Sequence, residues 1–157
     1  MAFGIFRNRN TTQGSPNVIT APAVPLTKTL EKDLDELTKR TRLAGAEIPT
    51  AIYSKIRVID DILRSLLKFI DAQGCSVEQE YTLKTLITDH IPTALNNYLN
   101  LAEQDKGDTT AAALSLMRQY DTLEDKARAL AEGVRSGAIQ ELSTHAHFID
   151  AKFGTEN

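Results

Sequence analysis

Six apolar residues, Ile52, Ile56, Ile59, Leu63, Leu66 and Ile70, alternate steps of four and three along the chain. That spacing places all six on one face of an α-helix, and water is excluded from such a face only when other helices cover it. The pattern recurs throughout the sequence after Pro25. Leu30, Leu34 and Leu37 carry it first; Leu83, Leu86, Ile87, Ile91, Leu95, Tyr98 and Leu99 follow the central stripe; Leu116, Tyr120, Leu123, Ala127, Leu130 and Val134 come last. The expected fold is an all-α, antiparallel bundle of four or five helices. Short connections favour antiparallel neighbours packed at a small crossing angle.

The expected division is a flexible tail over residues 1–25 and a bundle domain over 26–157, a length that suits one core. The tail holds three of the five prolines and no Asp or Glu, and shows no helical period. The first helix should run from Leu26 to Ala44, capped by Thr27 and ended by Gly45. Pro49 suits the first turn of a second helix that reaches Gln73 before Gly74, about 36 Å at the usual rise. Ser76 and Gln79 form a capping-box pair for the third.

Pro92 interrupts that third helix, because proline lacks the amide donor and clashes with the preceding turn. A kink or break is expected near His90, with Asp89 available to cap a fresh start. Asp108 is the expected cap of the fourth helix. After Ser136 and Gly137 the stripe resumes out of phase at Ile139, Leu142, Ala146, Ile149 and Phe153, which predicts a break and a fifth helix.

The chain is 41% hydrophobic and 25% charged, with no apolar run long enough to span a bilayer, so a soluble protein is expected. A single cysteine, Cys75, excludes an intramolecular disulfide, and no apolar signal segment is visible; both fit a reducing cytoplasm. The net charge of −3 divides unevenly, with 11 Lys/Arg against 8 Asp/Glu in residues 1–75 and 7 against 13 in residues 76–157. No dense basic stripe or basic-aromatic interleaving is present, which argues against nucleic acid.

Two sets of residues are candidates for function. In the tail, Phe3, Ile5 and Phe6 precede Arg7 and Arg9, an apolar tip beside positive charge that suits docking on another protein or a weak contact with an anionic membrane surface. In the helices, His90, Glu141, His145, His147 and Asp150 are the residues from which a metal or oxyanion site would be assembled. His145 and His147 point about 200° apart on a helix and do not chelate one ion together. Glu141 with His145, or His147 with Asp150, share a face; no Glu-x-x-His pair of the diiron type occurs. Cys75 lies at a helix start, where a thiol pKa is lowered, yet no acid and histidine accompany it in sequence. Tyr53, Tyr81, Tyr98 and Tyr120 flank the stripes and suit packing at the core edge.

Thr88-Asp89-His90-Ile91-Pro92-Thr93-Ala94-Leu95-Asn96-Asn97-Tyr98-Leu99, together with the stretch from Leu123-Glu124 to His147-Phe148-Ile149-Asp150-Ala151-Lys152-Phe153, resembles actinobacterial helical proteins similar to the XpaC and toxic-anion-resistance group. The resemblance implies a bacterial, non-catalytic helical protein tied to envelope or toxic-anion stress, with Pro92 and Tyr98 as architecture. It supplies no site residues. The expected function is therefore a non-enzymatic interaction or scaffold module without a cofactor, engaging another protein from the cytoplasm or the inner face of the membrane. The alternative is a metal- or oxyanion-binding stress protein.

Overall fold

A computed structural model describes residues 24–154. Phe3, Ile5, Phe6, Arg7 and Arg9, and all of the expected tail except Val24 and Pro25, lie outside the described residues. The elements are α1 (Leu26–Leu43), α2 (Thr50–Gln73), α3 (Val77–Thr85), a π-helical turn (Leu86–His90), α4 (Ile91–Leu99), a 3-10 turn (Glu103–Asp105) and α5 (Ala111–Phe153). Thr85, Leu86, His90 and Ile91 all keep right-handed helical dihedrals, so α3, the π turn and α4 form one rod. The bundle thus has four rods.

Successive rods run in opposite directions, and α5 packs chiefly on α2 and α4 while α1 packs on α2 and the π turn. This arrangement sets α2 and α5 side by side and parallel. The predicted stripes as far as Val134 turn inward: Leu34, Leu63, Leu66, Leu95 and Tyr120 are fully buried in one continuous core. Burying each such side chain contributes about 1.5–3 kcal/mol, which is what drives the rods together.

Several boundaries differ from those expected. Thr27 does not cap α1; Pro25 stands at that position, and the Thr27 hydroxyl donates instead to Asp71 Oδ1 on α2 at 2.8 Å. The expected capping box at Ser76 and Gln79 is present. Neither a break nor an Asp89 cap occurs at Pro92. The Ile91 amide donates to the carbonyl of Leu86, one residue further back than in an α-helix, so the rod passes the proline by widening for a turn. Thr110, not Asp108, caps α5, its hydroxyl accepting from the Ala113 amide at 3.1 Å.

The predicted break at Ser136 and Gly137 is also absent, and α5 runs unbroken for 43 residues. Serine and glycine in a helix interior cost up to about 1 kcal/mol each without ending it. Among the described residues no helix is long and apolar enough to cross a membrane.

Candidate functional site

At 43 residues α5 outruns α2, which has 24 and stops at Gly74. Gly74 adopts φ 76°, a left-handed conformation that glycine enters without steric penalty and that terminates the helix. Gln73, Gly74, Cys75, Ser76 and Gln79 face Val134, Gly137, Ala138 and Glu141 across a crevice of about 320 Å³. Val134 is the last residue of α5 buried in the core. Beyond this level the helix projects as an arm that no other described element runs beside.

The arm carries the out-of-phase stripe, and the stripe is bare. Ile139 is 69% exposed, Leu142 71%, Ile149 41% and Phe153 71%. Its direction can be read from Arg135, which precedes Ile139 by four residues and so shares its face. The Arg135 guanidinium donates to Ser65 Oγ at 3.3 Å and lies 5.8 Å from the centre of the Phe69 ring, both on α2. Higher on the same side, Asp121 and Glu124 hold Lys55 of α2 at 2.9 and 2.7 Å.

The stripe is therefore the α2-facing edge of α5, continued past the point where α2 ends. At 100° per residue it sits about a quarter turn from the seam of Leu116, Tyr120, Leu123, Ala127, Leu130 and Val134 that faces the core. Where α2 lies alongside, this edge bears charges that pair with it. Below Gly74 it becomes apolar, with nothing among the described residues to cover it. The jump in phase that suggests a helix break is instead a change of neighbour along an unbroken helix, and it becomes visible only once Arg135 is seen against Ser65 and Phe69 of α2.

The remaining candidates are scattered. His90 lines a groove between α4 and α5 with Asp89, Thr93, Ala94, Asn97, Gln119, Thr122 and Leu123. Glu141 and His145 line a different one along the arm, with Gly137, Gln140, Thr144 and Phe148. His147 and Asp150 are exposed on the arm. The proposed set of five is thus not brought together, and among the described residues no group of three His, Cys, Asp or Glu side chains is placed to hold a metal ion.

Cys75 is half-buried, and burial first, then the Glu80 carboxylate, push its thiol pKa up rather than down. Tyr98 and Tyr120 are core residues whose hydroxyls bond backbone, Tyr98 accepting from the Gly107 amide and Tyr120 donating to the Ile91 carbonyl. Tyr81 is 70% exposed instead of packed. Compared with family models, curated proteins and solved structures, the chain finds no significant match.

Proposed function

We propose that the protein is a non-enzymatic helical interaction module whose bundle holds out the arm of α5 as a docking rail for another protein. One observation carries this reading: Ile139, Leu142, Ala146, Ile149 and Phe153 form an exposed apolar stripe on a helix that is already built. Contiguous apolar surface of this kind marks interaction sites, because leaving it in water is costly and covering it is worth about 25 cal/mol per Å². The occupant that fits is an amphipathic segment of the partner, laid along the rail as α2 lies along the upper part of the same edge. The setting proposed is the bacterial cytoplasm near the inner face of the envelope, on the strength of the resemblance in residues 88–99 and 123–153.

The test is the double variant Leu142→Asp with Ile149→Asp. Expected is an unchanged melting temperature together with loss of the proteins that the parent chain retains from its own cells. Retention of the same proteins by the variant would overturn the proposal.

A further inference from the structure

We propose that the arm of α5 pairs with the arm of a second copy of this chain, the two helices antiparallel and stripe against stripe. The proposal rests on the reading of the arm as a docking surface and names its first occupant, which a segment of the partner protein then replaces.

The direction of pairing follows from α2. Arg135 meets Ser65 and Phe69, and Gln73 and Gly74 face Gly137 and Ala138, so α2 fills the stripe-side edge of α5 down to that level and leaves it empty below. Two parallel arms, stripe to stripe, would drive the α2 helices of both copies into the same space. Two antiparallel arms avoid this, because each bundle then lies beyond the end of the other copy's arm. The second arm continues the line of α2 and stops beneath Gly74.

The register follows from the side chains. Ile139, Leu142, Ala146, Ile149 and Phe153 alternate steps of three and four, the seam spacing of paired helices. In the antiparallel register that sets Leu142 of one copy against Phe153 of the other, Ala146 meets Ile149 on both sides of the two-fold axis, so large residues pack against small. Phe153 then comes no higher than Leu142, clear of α2. The register that sets Ile139 against Ile149 instead pushes Phe153 to the level of Arg135, where Phe69 already sits. In the favoured register Asp150 lies beside Ser143 of the other copy and Lys152 beside His145, so neither two carboxylates nor two lysines oppose each other. Arg135 stays outside the pair, held on α2.

Area sets the strength. A strip of helix about 21 Å long and about 10 Å wide covers a few hundred Å² per copy, against about 800 Å² per side in a lasting interface. The self-pair is therefore weak and exchangeable, and a partner that covers more of the rail displaces it.

The experiment mixes two otherwise intact Cys75→Ser chains, one isotopically labelled and the other carrying a nitroxide on Gln140→Cys, a position about 140° round the helix from the centre of the stripe. Amide NMR intensities of the first are read as the second is raised into the millimolar range. Expected is loss of most of the signal from residues 149–154 with residues 125–135 spared, and its recovery when Leu142→Asp and Ile149→Asp are added to the nitroxide chain. Loss centred on residues 136–144 would mean parallel arms and overturns the proposal, as does the absence of selective loss in the arm. If the arm shows no loss but the double arm variant still abolishes partner retention, self-pairing fails alone; if that variant also retains every partner, the docking surface fails with it.

Discussion

Ile59 and Leu142 are both large aliphatic residues on helices, and their surroundings predict opposite responses to the same substitution. Ile59 is 1% exposed in the middle of the α2 stripe, so Ile59→Asp buries an unpaired carboxylate and should cost more than about 3 kcal/mol in a urea melt. Leu142→Asp, on the arm, should leave the midpoint unmoved; a comparable loss there would mean that the arm belongs to the core. Glu124 offers a pH-dependent counterpart. Hydrogen bonds from Lys55 first, then Arg128, hold its carboxyl below the ordinary range, and its side chain is 14% exposed. A depressed acid stabilises the fold above its unfolded pKa of about 4.3 and loses that contribution as pH falls through the folded value. Glu124→Gln should therefore cost about 0.5–1 kcal/mol at neutral pH, with the difference from the parent shrinking below about pH 4. A difference that persists at pH 3 would show that the charge is not its source.

The elements show which parts of the fold are legible in sequence. The core seams of α1, α2, α3–α4 and α5 follow from the spacing alone, because a helix offers one inward face and the apolar residues must fill it. Pro92 and Ser136-Gly137 are less legible. Sequence rules say that these residues weaken the local hydrogen-bond ladder, but whether the helix stops depends on packing on either side. Ile87 within the π turn and Ile91 just after it are both buried in the core, so packing continues across the turn. Thr88, Asp89 and His90 are exposed, and that turn is the place where the rod should open. Hydrogen exchange at Thr88, Asp89 and His90 should be faster than at residues 59–66 of α2, and equal protection would contradict a weakened turn. Gly74→Ala should cost about 1 kcal/mol, since no atom lies within 4 Å of the added methyl and the penalty is conformational. An unchanged urea midpoint would remove the left-handed glycine from the account of why α2 ends.

At the scale of the whole molecule, the function proposed above makes the bundle a platform and the arm its working edge. The expected site residues are largely not where function is now assigned, since His90 is separated from the arm histidines and the stripe beyond Gly137 reads in sequence as one more packed helix. A periodic apolar face states that something covers it without stating what. The central claim is that the covering is another protein on the α2-facing side of the arm. A photo-crosslinking phenylalanine at position 142, compared with the same probe at 144, about 200° further round the helix, tests it in the cells that make the protein. The predicted result is a discrete adduct with a second protein from position 142 and none from 144; equal adducts from both positions, or none from 142, would contradict the claim.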